Sequence, residues 1–233
     1  EQAYIIGVQA NIWGEYIQTP EYFEYMAFPR LLAMSEVQWT QPEHKDFESF
    51  ARRLDKEFER LDYCGVNACR NFYEVNQAGA WNKSQQTYEV TLNTFCPDAD
   101  IYYAVNDSTV NTSSSLYETP IPLDEDATIY SAVYRSGKPL GKVTRKSFAV
   151  NKATGCDYTC NPEAGWEHLN KGFGLTDGRR GYARDMRRWI SFYQDTVQIV
   201  VELKKPQKVK EVAFSSLWRP VNEIWPARAM GVS

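Results

Sequence analysis

Apolar residues recur in three successive rhythms along the chain. Residues 4–12 (Tyr4, Ile5, Ile6, Val8, Ala10 and Ile12 among them) are apolar with little alternation. That pattern predicts a strand buried on both faces, as in a parallel sheet. A helix is predicted next. Thr19 is a suitable N-cap, Pro20 fits the first helical position, and Glu21 suits the positive helix start. Phe23, Met26, Ala27 and Leu31 share a face, and Pro29 should kink the helix or split it in two. A second helix follows, because Phe47, Phe50, Ala51, Leu54, Phe58 and Leu61 recur at three- and four-residue steps. Glu48 and Arg52 form a solvent-side pair one turn apart, and Gly65 supplies a stop. Strand, loop and helix make one β/α unit with extra helical length. Such a unit leaves both faces of its strand in need of neighbours, so the expectation is a fold begun upstream.

Helical spacing fades over residues 67–84 and does not return. Residues 88–93, 101–106, 128–135 and 142–150 alternate and are rich in Tyr, Val, Ile and Thr, which predicts strands. Residues 106–108 and 136–139 read as turns between them. The spacing points to a small antiparallel sandwich. Residues 151–155 read as a short linker. Two further strands, 196–203 and 208–216, are joined through Lys204, Lys205 and Pro206. The expected fold class is multidomain, α/β followed by β: residues 1–72, 73–151 and 152–233.

Composition changes this picture little. A 43% hydrophobic and 24% charged chain of 233 residues is ordinary for a globular protein. With 26 basic against 30 acidic residues the net charge is −4, too mild to draw nucleic acid or an anionic membrane. No apolar run approaches the ~20 residues that span a bilayer. Aromatics reach 14%, with seven Trp and fifteen Tyr. Sandwich cores account for most such rings, and sugar contacts for some. The five cysteines form no zinc pattern, since Cys156-x-x-x-Cys160 stands alone and His44 and His168 are the only histidines. A local Cys156–Cys160 disulfide and buried free thiols both remain open.

The candidate chemistry lies near the start. A hexose is gripped by a flat apolar surface against its C–H face and by carboxylates that accept its hydroxyl protons. Trp13 and Glu15 leave the predicted strand end two residues apart. Both can therefore serve one cleft at the mouth of a β/α barrel. On residue types alone, a packing Trp and a solvated Glu are the better explanation of the pair, because a lone Trp-x-Glu is a weak signal. A third reading makes Glu15 the nucleophile of some other β/α-barrel glycosidase.

The longer pattern is more specific. Gly7-x-Gln9-x-x-x-Trp13-x-Glu15, Thr19-Pro20, Tyr25-Met26, Phe28-Pro29-Arg30, Glu36-Val37 and Trp39-Thr40 closely resemble the last β/α unit of the family 20 glycoside hydrolases, the β-N-acetylhexosaminidases. The resemblance covers roughly residues 4–70. It implies that Trp13 forms part of an aromatic wall and that Glu15 accepts hydrogen bonds from the sugar's 4- and 6-hydroxyls. It also implies a retaining, substrate-assisted mechanism, an exception to the two-carboxylate scheme. The substrate's acetamide oxygen attacks the anomeric carbon, an Asp orients that acetamide, and an adjacent Glu serves as acid and then base. The family's Gly-Gly-Asp-Glu segment that carries those two groups is absent from this sequence. Asp124-Glu125 is a lookalike in a predicted turn and is read as solvated. The chain alone is therefore expected to be inactive.

Residues Ile101-Tyr102-Tyr103, Ser115-Leu116-Tyr117, Pro120-Ile121, Ala127-Thr128-Ile129 and Lys138-Pro139-Leu140-Gly141 resemble the fibronectin type III-like domain that follows chitobiase and hexosaminidase barrels. Asn106-Asp107 stands where that family usually has Asp-Gly. Gly172, Leu175-Thr176-Asp177-Gly178, Trp189 and the 197–203 and 209–212 stretches resemble the first part of a discoidin-like (factor V/VIII type C) jelly roll, left incomplete here. That likeness makes Asp177 a candidate ligand of a structural calcium ion, against the plainer reading of an Asp-Gly turn. Trp166, Trp218 and Trp225 are candidate sugar-stacking rings, with core positions at least as good a reading. No other cofactor or metal is expected. Two function classes result. One is part of an exo-acting hexosaminidase working on glycans with terminal N-acetylhexosamine outside the cytoplasm; the other is a non-catalytic carbohydrate-binding or scaffold module.

Overall fold

The computed structural model describes residues 7–163, 165, 174–179, 181 and 189–232. Three helices lead into antiparallel β structure. Helix α1 spans Pro20–Ala27 and α2 spans Arg30–Trp39. The Thr19 hydroxyl accepts the Tyr22 N–H at 3.2 Å, so the predicted cap forms. Pro29, with no N–H to donate, lies between the two helices, and the expected single helix is split there. Helix α3, Phe47–Tyr63, starts at Asp46, whose carboxylate accepts the N–H groups of Glu48 and Ser49 at 2.9 and 3.3 Å. It ends at Gly65, where φ is +69°. There the Val66 N–H reaches Leu61 O at 2.9 Å and the Gly65 N–H reaches Asp62 O at 3.0 Å. These two bonds are the Schellman ending that a glycine in the left-handed region permits.

The expected strand over residues 4–12 is not seen in its described part. Residues 7–13 carry no strand. A strand requires a second backbone to take its hydrogen bonds, and among the described residues none pairs with this segment.

Eight strands form two antiparallel sheets. The first has β1 (Asn76–Asn82), β2 (Thr87–Asn93) and β5 (Ile121–Leu123), in the order β1-β2-β5. The second has β3 (Asp100–Val105), β4 (Ser115–Leu116), β6 (Ala127–Arg135), β7 (Lys138–Pro139) and β8 (Thr144–Phe148). Its order is β4-β3-β6-β7, with β8 also paired to β6. Tyr88, Val90 and Leu92 from β2 face Ile129 and Val133 from β6 in one core. Ser136 and Gly137, both at positive φ, close a two-residue hairpin between Arg135 and Lys138. Lys138 and Pro139 thus belong to a strand rather than to the predicted turn.

The core continues into the helical part. Leu54 and Phe58 of α3 pack with Tyr73, Val75 and the sandwich residues. Polar contacts reinforce the junction. Arg135 bridges to Asp55 at 2.5 Å and donates to Pro97 O at 3.0 Å, while Arg52 binds Asp98 at 2.7 Å.

After the sandwich, residues 151–155 form a tight turn rather than a loose linker, with Thr154 and Cys156 buried. Strands β9 (Asp157–Asn161) and β10 (Gln198–Glu202) make an antiparallel pair. The expected strand over 208–216 does not form. Val209, Val212 and Phe214 remain exposed there, and no described strand lies alongside to take its hydrogen bonds. All five cysteines are free. Cys160 lies in β9 and Cys156 just before it. At about 3.3 Å per residue, extended chain carries the two beyond the ~7 Å that a disulfide tolerates. The structure thus answers for free thiols.

Candidate functional site

Trp13 and Glu15 are delivered by a short 3-10 turn, Gly14–Tyr16, closed by the Ile17 N–H on Gly14 O at 3.1 Å. Trp13 is the residue before the turn and Glu15 its centre, so the two share one small element. Both lie at the surface, Trp13 with 73% of its area exposed. Tyr16, passed over in the sequence reading, is 86% exposed on the same turn. Its signal was an aromatic directly after the Trp-x-Glu triplet. Trp39, at the end of α2, is 88% exposed.

The helices that follow the turn are well tied. Arg30 donates to the Tyr25 and Met26 carbonyls at 3.1 and 3.0 Å, closing the C-terminal end of α1. The Asn67 N–H binds Glu24 at 2.8 Å and its amide binds Glu21 O at 2.9 Å, so the loop after α3 returns to α1. Arg53 of α3 grips Glu36 of α2 through two bonds, at 2.6 and 3.1 Å. That hydrogen bonding holds the Glu36 carboxyl below its usual range. The turn bearing Trp13 thus precedes a fixed helical frame.

Two surface depressions of about 550 and 430 Å³ lie elsewhere, one lined by Lys56, Glu59, Arg60, Tyr63 and Cys64, the other by Asn106, Asp126, Thr128, Ser147 and Phe148. Neither includes Trp13 or Glu15. Asp124 and Glu125 are exposed between β5 and β6, as a solvated turn would place them.

Asp177 forms an Asp-Gly turn. One carboxylate oxygen accepts the Arg179 N–H at 2.9 Å, the other the Gly174 N–H at 3.2 Å, and Gly178 sits at φ +72°. Burial raises the pKa of this carboxyl above its ordinary value. Among the described residues no cluster of three His, Cys, Asp or Glu side chains forms. Among the described residues, the groups that meet the Asp177 carboxylate are backbone N–H donors rather than oxygen ligands. Trp218 and Trp225 are each 69% exposed. Trp166 lies outside the described residues.

Two stretches match known families. Residues 1–42 match the catalytic domain of glycosyl hydrolase family 20, and residues 76–145 match the chitobiase/beta-hexosaminidase C-terminal domain. The first stretch is thus similar to part of a family 20 catalytic domain. The second stretch, similar to that C-terminal domain, runs from β1 through β7 and into the start of β8 of the sandwich. The chain is 52% identical over 64 residues to a beta-hexosaminidase of Porphyromonas gingivalis (strain ATCC BAA-308 / W83), a stretch covering 28% of this chain and 8% of that protein. It is 38% identical over 50 residues to a beta-N-acetylhexosaminidase of Cellulomonas fimi, covering 22% of this chain and 10% of that protein. The matched stretches thus span a tenth or less of those relatives' lengths. Among the described residues no helix is long and apolar enough to cross a membrane.

Proposed function

We propose that this chain is the C-terminal part of an exo-acting, retaining β-N-acetylhexosaminidase that removes terminal β-linked N-acetylhexosamine from glycans outside the cytoplasm. In this reading residues 1–72 are the closing β/α unit of a barrel. Trp13 forms part of the wall of the terminal-sugar subsite, and Glu15 accepts hydrogen bonds from the 4- and 6-hydroxyls. The substrate's acetamide is the nucleophile, and the Asp-Glu pair that assists it comes from another part of the catalytic domain. Residues 152–233 are read as discoidin-like, with β9 and β10 as the described strands.

One observation carries the reading. The segment that matches the catalytic domain leaves most of its apolar side chains uncovered. Val8, Trp13, Tyr16, Phe23, Val37 and Trp39 are all exposed, and Ala27 alone is buried among residues 7–46. Full burial of one such side chain is worth roughly 1.5–3 kcal/mol. Six of them left in water therefore forgo on the order of 10 kcal/mol. A self-sufficient surface would not be built that way, whereas one unit of a larger barrel would.

The 233-residue chain assayed on a chromogenic N-acetylglucosaminide is expected to show no turnover. Ordinary turnover would overturn the placement of the acid elsewhere. In the intact glycosidase that contains these residues, Glu15→Gln should lower kcat/KM. Loss of a hydrogen bond to a charged acceptor is worth about 1.5–3 kcal/mol, roughly 10- to 150-fold in rate. An unchanged kcat/KM removes Glu15 from the subsite.

A second reading, a non-catalytic carbohydrate-binding module, draws on the exposure of Trp218 and Trp225. It is distinguished by titrating chitin oligosaccharides against the chain's indole fluorescence, where Trp218→Ala and Trp225→Ala would abolish the response.

A further inference from the structure

The stretch after the sandwich has few buried residues of its own. Among the described residues beyond Asn151 only Thr154, Cys156, Thr176 and Leu217 are buried. The first three sit together. The Gly155 N–H donates to Thr176 O at 2.7 Å, and the Thr176 hydroxyl donates to Cys156 O at 2.6 Å. This knot presses on the hairpin of β1 and β2, at the paired residues Trp81 and Tyr88.

Each aromatic meets a glycine of the knot. A Cβ on Gly178 would fall 2.5 Å from the Tyr88 ring, and one on Gly155 would fall 2.1 Å from Trp81. Both glycines lie at φ +72°, so the left-handed backbone and the close approach are met by the same residues. Polar contacts fix the seating. The Tyr88 hydroxyl donates to Gly178 O at 3.2 Å, Arg179 donates to Gly79 O at 3.0 Å, and the Lys204 ammonium lies 3.6 Å from the Trp81 ring centroid. Lys204 follows β10 by two residues. One contact point therefore secures the segment leading into β9 and the segment leaving β10.

We propose that β9, β10 and the 174–179 loop are a dependent annex, held folded by the Trp81–Tyr88 surface of the sandwich and without independent stability. A two-stranded sheet is marginal in water when nothing covers it. Here β9 and β10 contain no fully buried residue. The annex therefore travels with the sandwich as one body and is not a sugar-binding arm on a tether. None of these contacts involves Trp13 or Glu15, so the annex and the sugar subsite are tested separately.

Amide hydrogen exchange on the full 233-residue chain tests the proposal. The variant Tyr88→Phe combined with Lys204→Ala keeps the buried ring and the Trp81 side chain but removes two fastenings. Gly155→Ala drives a methyl group into Trp81. Exchange at residues 157–161 and 198–202 is expected to accelerate at least ten-fold in either variant, with β3 and β6 unaltered. Unchanged protection of β9 and β10 in both variants overturns the proposal. So does a wild-type pair with no protection to lose, or a parallel loss in β3 and β6, which would make the sandwich depend on the annex.

Discussion

Tyr73 is buried, with its hydroxyl 2.5 Å from Asp55, and Asp55 takes Arg135 at the same distance. Arg135 also lies 2.9 Å from the buried Cys96 sulfur. Burial first, and then the Asp55 carboxylate, push the Tyr73 phenol well above its ordinary value. A raised folded-state pKa means that the folded protein holds this proton more tightly than the unfolded chain does. The stability tied to it is fully present below about pH 10, the ordinary tyrosine value, and is lost as pH climbs beyond that. Tyr73→Phe should therefore cost about 1.5–3 kcal/mol near neutrality, through the lost bond to a charged acceptor. It should also flatten the alkaline fall in stability relative to wild type. Urea unfolding of both proteins at pH 7 and at pH 10.5 checks this; equal alkaline slopes would show that Tyr73 does not set that limb. Asp98 acts at the other end of the scale. Its hydrogen bond from Arg52 holds its pKa down, so its contribution is present above the usual carboxylate range and fades as pH falls through it. Exposure keeps that contribution small.

Helix α3 joins the two matched stretches, and its ends explain why it stops where it does. Gly65 has open space around its α-carbon, so an added methyl group meets no neighbour and the cost is purely conformational. Gly65→Ala should destabilise the chain by about 1 kcal/mol through the left-handed backbone. Asp46→Ala should cost a similar amount, about 1 kcal/mol, by freeing the N–H groups of Glu48 and Ser49. Thermal or urea unfolding measures both, and a neutral result would mean that packing of Leu54 and Phe58 alone sets the helix limits. These elements were legible because caps, proline and three-to-four spacing are local signals. Strand β1 was not. Its Asn-Gln-Ala-Gly-Ala-Trp-Asn sequence has weak strand preference, and only its register against β2 makes it one. Gln77 illustrates the point: a polar residue in the core whose amide nitrogen donates to Ser131 Oγ at 2.8 Å and Thr144 O at 3.2 Å, while its Oε1 is buried with no partner among the described residues. The strands expected over 4–12 and 208–216 are missing from their described residues for the converse reason. An apolar or alternating run proposes a strand, but the strand exists only where another backbone answers it. The candidate site follows the same logic. Spacing alone placed Trp13 and Glu15 on one small element, whereas the surfaces opposite them depend on residues distant in sequence.

On the scale of the whole molecule, burial is divided unevenly. The continuous core runs from Leu54 through the sandwich to Phe148, while residues 7–46 expose Trp13, Tyr16, Val37 and Trp39. Apolar side chains exposed in this number attract hydrophobic dyes and other copies of the chain, and a net charge of −4 is too small to oppose that strongly. The 233-residue chain should therefore bind an anilinonaphthalene dye in its folded state. Val37→Ser combined with Trp39→Ser should weaken that binding several-fold while leaving the unfolding midpoint within about 0.5 kcal/mol of wild type, as is usual for substitutions outside the core. In the proposed longer glycosidase the expectation reverses: with these side chains packed against the rest of a barrel, dye binding should be low from the outset, and the same pair of substitutions should destabilise by roughly 3–6 kcal/mol, the transfer cost of two buried apolar groups. Measuring both proteins side by side separates a surface exposed by nature from one awaiting its barrel. A midpoint equally indifferent in both would mean that these helices never pack against a larger domain.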